Sequence, residues 1–408
     1  MNIPFSPPHI SQEAIDEVVD TLKSGWITTG RKTKLFESNI SNYCGNKRTL
    51  AVNSATFGLE AVLRWYGVGP GDEVIIPAYT YAATANVIVH TGATPVMVDI
   101  NPDDFNISIE AVKKSITKKT KIIIPVDIGG LPVCMNKLNK LVANPEIKKI
   151  FIASDDSTQQ KKLNRILILS DAAHSFGATL NGKKTGNLTD ISVFSFHAVK
   201  NLTTAEGGAI AFNLPEPFDN EAIYKEFNTL SLHGQNKDAL AKNKIGGWRY
   251  DITEPGYKGN MTDIQAALGI IALKYYDTEN LPRRKEIVNT YQNFFAKKDW
   301  AELPIIEKQD RRTSYHLYML RIRSISEETR DLIIKKIYDK GISVNVHFQP
   351  LPLFTAYKKL GFNISDFPVS FDSYSREISI PVYQDLTNKE VNLITSGVSE
   401  AIEEIIGA

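Results

Sequence analysis

Two residues set the chemistry this sequence could perform. Asp171 follows an apolar run at residues 166–169, and Lys200 follows a second run at residues 192–196. A carboxylate that keeps a pyridine nitrogen protonated and a lysine that forms a Schiff base are the two groups required by pyridoxal 5′-phosphate (PLP) chemistry. A strand end is also where open α/β sheets bind their ligands. Each residue has an ordinary explanation when taken alone. Asp171 reads equally well as a helix N-cap before Ala172-Ala173-His174, and most lysines are solvated surface charges. The frame around Lys200 argues against the second explanation. An aromatic-rich run precedes it, and Thr203-Thr204-Ala205-Glu206-Gly207-Gly208 follows. Paired glycines permit either close backbone approach or positive φ beside a bound ring.

Further residues could complete such a site. Asn53-Ser54-Ala55-Thr56 stands between a short apolar run and a helical stretch. That arrangement offers free amides and hydroxyls to a phosphate, although an ordinary N-cap has the same appearance. Tyr79 and Tyr81 follow another apolar run, where an aromatic could stack on a flat heterocycle. His174 is either a satisfied core histidine or a polar contact to the cofactor, whereas His197 reads as structural. Trp26, Tyr79, His316, Tyr318 and His347 are candidates for lining a substrate site. There is neither GxGxxG nor GxxxxGK[ST], which counts against NAD(P) or a nucleoside triphosphate as the primary ligand. No His, Cys or carboxylate spacing resembles a metal site.

The elements that would position these residues alternate. Residues 50–52, 73–76, 94–98, 121–126, 166–169, 192–196 and 208–212 read as short buried strands. Helical patterns at 54–65, 82–90 and 109–115 lie between them, which predicts parallel strands with crossover helices. Residues 145–164 interrupt the rhythm with a polar middle, and 154–162 read as a mobile surface excursion. Past residue 275 the pattern changes to helix 282–295, strand 315–323, helix 327–340 closed by Gly341, strand 343–347 and helix 388–405 with Thr387 as N-cap. The expectation is a large α/β domain at residues 1–275 and a smaller α+β domain at 276–408.

Composition narrows the class. The 408 residues exceed one ordinary domain, and 47 basic residues balance 46 acidic ones without a block of either sign. No nucleic-acid surface or membrane anchor is therefore expected. Cys44 and Cys134 are the only cysteines and have no CxxC spacing. With an N-terminus that lacks the pattern of a secretory leader, this predicts a reduced, cytoplasmic setting.

With these pieces in place, the chain resembles the DegT/DnrJ/EryC1/StrS family of PLP-dependent nucleotide-sugar aminotransferases. The shared motifs run almost from end to end: SGWITTG at 24–30, the 53–56 turn, PAYTYAAT at 77–84 and GATP at 92–95. They continue through SDAAHSFGA at 170–178, FSFHAVKNLTTAEGG at 194–208, GYKGNMTDIQAA at 256–267 and VHF at 346–348. Within the family the chain looks like the members acting on UDP-4-keto-sugars, UDP-4-amino-4-deoxy-L-arabinose–oxoglutarate aminotransferase among them.

The resemblance implies a type I PLP-dependent transferase fold, aspartate aminotransferase-like, with a mostly parallel central sheet. It also implies a homodimer with shared active sites. It assigns the Schiff base to Lys200, the pyridine nitrogen to Asp171, the ring's phenolic oxygen to His174 and stacking to Tyr81. Ala55, Thr56 and Ser195 would hold the phosphate, and the GYKGNMTD loop would reach the partner's phosphate. Many members read GYNYRMTD there, so Lys258 and Asn260 both compete for that contact. The implied reaction moves an amino group from L-glutamate, releasing 2-oxoglutarate, to a nucleotide-linked keto-sugar, at C4 or, as nearest rival, C3. A PLP-dependent keto-sugar dehydratase and a non-catalytic regulatory homologue are the alternatives. Dehydration in one branch replaces the lysine by histidine and in another uses an iron–sulfur partner, whereas a regulator would have a broken Asp/Lys pair.

Overall fold

The computed structural model describes residues 2–237, 248–308 and 310–407. Among these residues, seven strands form the central sheet: β1 (Arg48–Val52), β2 (Glu73–Pro77), β3 (Thr94–Val98), β4 (Thr120–Ile123), β5 (Leu167–Asp171), β6 (Ile191–Ser195) and β7 (Gly208–Phe212). Their spatial order is β1-β7-β6-β5-β4-β2-β3. Helices such as Ala55–Trp65 and Ala82–His90 connect successive strands in the parallel part. Strand β5 is buried at every position, as the continuous Leu-Ile-Leu run requires of a strand covered on both faces.

One strand runs against the rest, in keeping with a mostly parallel sheet. β7 runs antiparallel to both β1 and β6. The reason lies in its connection, because only residues 196–207 separate β6 from β7 and no helix lies among them. A parallel return usually runs through a crossover helix, and none forms here, so the chain turns back on itself. Lys200 sits on that turn.

The excursion expected at residues 154–162 is different in the structure. A short helix, Thr158–Leu163, docks this segment onto the end of helix Ala55–Trp65. Ser157 Oγ and Gln160 Nε2 both donate to the Tyr66 carbonyl at 2.9 Å. A helix end leaves carbonyls without intrahelical partners, and the insertion satisfies this one with a buried glutamine.

Beyond residue 275, strands β8 (Ala301–Glu302), β9 (Tyr318–Ile322) and β10 (Glu377–Ile380) form an antiparallel sheet in the order β8-β9-β10. Helices Leu281–Phe295, Glu327–Asp339 and Asn388–Ile406 bury Tyr291, Ile333 and Val398 against it. Gly341 follows the second of these with φ +76°, and Thr387 caps the last in a reciprocal pair with Glu390. The strand expected at 343–347 does not form. Only Asn345 pairs with Ser379, after which the chain turns away with His347 beside β10. A single buried cluster joins Phe194 and Phe196 to Tyr318, Ile378 and Ile402.

Candidate active site

A cavity of about 470 Å³ opens at the carboxyl ends of β5 and β6 and the N-terminus of helix Ala55–Trp65. Asp171, the last residue of β5, lines it. Its Oδ2 accepts from Thr84 Oγ1 at 2.9 Å and its Oδ1 from the Ala173 N–H at 3.3 Å. Turns, not a helix, follow Asp171, so the N-cap reading fails. Burial raises its pKa, while those two donors and the charge of Lys200 oppose the rise.

Lys200 lines the same cavity. Burial pushes its amine down to about 8, with the Asp171 charge pulling the other way. His174 is buried with Nδ1 lacking any hydrogen-bond partner among the described residues. Its ring lies 4.5 Å from that of His316 and stacks 5.6 Å from that of Phe348. Burial and the nearby Lys200 charge hold His174 well below its ordinary pKa, so the ring is neutral.

The opposite wall is the mouth of helix Ala55–Trp65. Ser54 caps it by accepting from the Phe57 N–H at 3.1 Å, and the Gly58 N–H reaches the Ser54 carbonyl. The amides of Ala55 and Thr56 remain open at the helix's positive end, beside the cavity. Gly208 makes this packing possible, since a Cβ there would lie 2.6 Å from the Ala55 nitrogen and 2.8 Å from the Phe194 carbonyl oxygen. Of the two roles open to the glycine pair, close approach is the one the structure uses.

These groups fit PLP. An aldehyde can meet a lysine amine of lowered basicity, a ring nitrogen can meet a fixed carboxylate, and a phosphate can meet open helix amides. His174 Nδ1 would be relieved of its isolation by a polar ring substituent.

The comparisons with known proteins agree with this geometry. The sequence profile described as the DegT/DnrJ/EryC1/StrS aminotransferase family matches residues 8–157 and 155–399. The chain belongs to that family. Its architecture is that of the type I PLP-dependent transferases. Spr1654 of Streptococcus pneumoniae, provisionally named a sugar aminotransferase and solved in a PLP form, is 45% identical over 99% of this chain and 100% of its own, with a TM-score of 0.94. PseC of Helicobacter pylori, an aminotransferase of pseudoaminic acid biosynthesis, is 28% identical over 99% of this chain and 100% of its own, with a TM-score of 0.86. The spore coat polysaccharide biosynthesis protein SpsC of Bacillus subtilis is 35% identical over 99% of this chain and 97% of its own length.

Most of the family-implied residues meet in the cavity: Ala55, Thr56, Tyr81, His174, Ser195 and the Asp171–Lys200 pair all line it. Tyr81 stands 65% exposed at the mouth, its ring 6.2 Å from that of Phe348. Asn260 does not join them. Its Nδ2 donates to Thr29 Oγ1 at 2.6 Å and its Oδ1 accepts from Lys258 Nζ at 2.5 Å, outside the cavity of its own chain. His197 is not a core histidine but an exposed rim residue 3.6 Å from the Glu206 carboxylate.

Of the substrate-site candidates, His316 and His347 line the cavity. Tyr79 instead donates to the His347 carbonyl at 2.6 Å, Tyr318 packs in the core, and Trp26 donates to the Thr29 carbonyl. Sequence reasoning missed Phe5, Thr84 and Phe348 as individual site residues. Thr84 was legible in principle, since a hydroxyl in the first turn of the helix after PAYTY faces the same sheet edge as Asp171.

Proposed function

We propose that this aminotransferase, with PLP as cofactor, moves an amino group from L-glutamate to a nucleotide-linked keto-sugar of the UDP-4-keto type. One observation carries the reading. The Lys200 amine, lowered to about 8, and the Asp171 carboxylate share one buried cavity with an open helix mouth at its side. When bound, the cofactor supplies an electrophilic carbon for amines and an electron sink next to it. Lys200 Nζ is positioned to accept and return a proton at mildly alkaline pH, where free amine and ammonium coexist. Asp171, aimed by Thr84 and Ala173, holds a proton on a ring nitrogen through a charge-assisted bond. Ala55 and Thr56 bind the phosphate, with Ser195 beside them. Tyr81 and Phe348 flank the mouth and limit the access of water.

The pathway names of SpsC and PseC support a sugar acceptor. The proposal includes a homodimer in which Lys258 or Asn260 reaches the partner's site, and a division of the chain at residues 1–275 and 276–408. Ile15, Val19 and Leu22, exposed along helix Gln12–Lys23 at helical spacing, form an apolar stripe that supports the dimer. The test is spectroscopic. L-glutamate should bleach the visible absorbance of the holoenzyme, and one of a panel of UDP-, GDP- and dTDP-linked 4-keto-6-deoxy sugars should restore it. An unchanged spectrum with every amino donor overturns the reading.

A further inference from the structure

Two histidines on the cavity wall are backed by hydrogen bonds that fix where their protons lie. Behind His316, Asn201 donates through Nδ2 to the Ser314 carbonyl at 2.7 Å and to Tyr276 Oη at 3.3 Å. A carbonyl can only accept, so Asn201 must turn Oδ1 toward His316. His316 Nδ1 lies 2.9 Å from that oxygen and must carry the proton.

Behind His347, the Ser379 hydroxyl donates to one oxygen of the Glu377 carboxylate, and the His347 backbone N–H donates to the other at 2.9 Å. When Glu377 is ionised, the single Ser379 proton is committed to its carboxylate, and Ser379 Oγ accepts from His347 Nδ1, 3.0 Å away. Burial pushes Glu377 up to about 8, with Arg330 and Arg321 opposing, so this relay is fully polarised above that pH.

With Glu377 ionised, each ring presents an unprotonated Nε2 on its opposite edge, and both rings line the cavity. Burial and the Lys200 charge keep both neutral: His316 is held well below its ordinary value and His347 is lowered to about 3. A bare ring nitrogen accepts from hydroxyl groups.

We propose that His316 and His347 form a hydrogen-bond-accepting wall that reads hydroxyl groups of the acceptor sugar. The inference rests on the sugar-aminotransferase reading and names residues that select the acceptor within it. The two histidines come from different elements and have chemically unrelated backing, Asn201 in one case and Ser379–Glu377 in the other. Their agreement on the same tautomer is the core of the argument.

The tautomers are measured first, on holoenzyme with ¹⁵N-labelled histidine rings at pH 9, by long-range ¹H–¹⁵N correlation. Signals are assigned by their loss in His316→Gln and His347→Gln. The Nδ1–H pattern is expected for both residues, and an Nε2–H pattern at either overturns the proposal. Ser379→Ala then removes the acceptor for His347 Nδ1–H. It should raise KM for the keto-sugar about three- to tenfold, the effect of one neutral hydrogen bond, with a smaller change in kcat. Ser379→Thr, which keeps the hydroxyl, should restore the wild-type KM. An unchanged keto-sugar KM in Ser379→Ala, or a parallel rise in the KM for glutamate, overturns the wall. Failure of the functional reading shows separately, as a wild-type holoenzyme whose spectrum answers to no keto-sugar, and it takes the wall with it.

Discussion

Strands β5 and β6 lie side by side and carry an acid and a base at each end, yet the two ends treat them oppositely. At the amino end, Arg165 precedes β5 and Asp190 precedes β6, and they form a bidentate pair at 2.8 and 2.6 Å. Asp190 also accepts from the Ile168 N–H at 3.0 Å. At the carboxyl end, Asp171 and Lys200 share a cavity, and no salt bridge joins them. The paired end satisfies its charges internally and so anchors the sheet. The unpaired end leaves an amine of lowered basicity and a carboxylate of raised basicity to be completed by a ligand. Perturbed, unpaired groups in a cleft mark chemistry, whereas satisfied pairs mark architecture.

Substitutions at the two ends should therefore separate activity from stability. The largest effect is expected from Lys200→Ala, which removes both the covalent attachment point and the proton carrier. Turnover should fall by on the order of 10⁴-fold or more, with a melting temperature no lower than wild type. A variant retaining most of its turnover would break the comparison at its most important point.

Asp190→Ala should do the reverse. Arg165 would be left partly buried without its partner, costing about 3–5 kcal/mol in urea unfolding, while kcat per folded molecule stays near wild type. Loss of kcat without loss of stability would show that the amino end is not merely architectural.

Asp171→Asn sharpens the same contrast within one residue. Turnover should drop by on the order of 10²-fold, as when one preorganised electrostatic partner is removed. The sign for stability is opposite. A folded-state pKa raised above the unfolded value means the native state loses stability as pH rises from the unfolded pKa through the folded one. Above that window a neutral isostere removes the penalty, so the cofactor-free variant should melt at the same or a higher temperature than wild type at pH 8.

The smallest effect is a pH dependence. Attack on the cofactor's aldehyde requires the free amine, so the rate of PLP uptake by cofactor-free protein should fall about tenfold per pH unit well below 8 and level off above it. Stopped-flow absorbance across pH 6–9.5 checks this, and a flat profile would place the Lys200 pKa elsewhere.

The legible parts of the fold were those with strong local signals. Buried Val/Ile runs located all seven strands of the main sheet, and the Thr387 cap located the last helix. The parts that were not legible depended on partners distant in sequence. Strand β10 is a four-residue run, EISI, that becomes a strand through its pairing with β9. Residues 343–347 alternate like a strand but find a partner only at Asn345. Polar residues 154–162 looked like a surface loop because nothing local reveals that Gln160 will be buried under the Tyr66 carbonyl.

The site divides in the same way. By itself the sequence determined the chemistry: an acid and an amine at strand ends, a phosphate-ready helix start and a glycine pair are short-range patterns imposed by covalent geometry and hydrogen-bonding capacity. Only the tertiary structure decided how those groups behave. Burial in one cavity lowers Lys200 and raises Asp171, and Gly208 lets the Ser54–Ala55 backbone close against the sheet. The tertiary structure also brought Asn201 and Ser379 behind His316 and His347, where they set the hydrogen bonds those rings make. Desolvation and proton order depend on what surrounds an atom in three dimensions, and a residue's neighbours in sequence do not specify those surroundings.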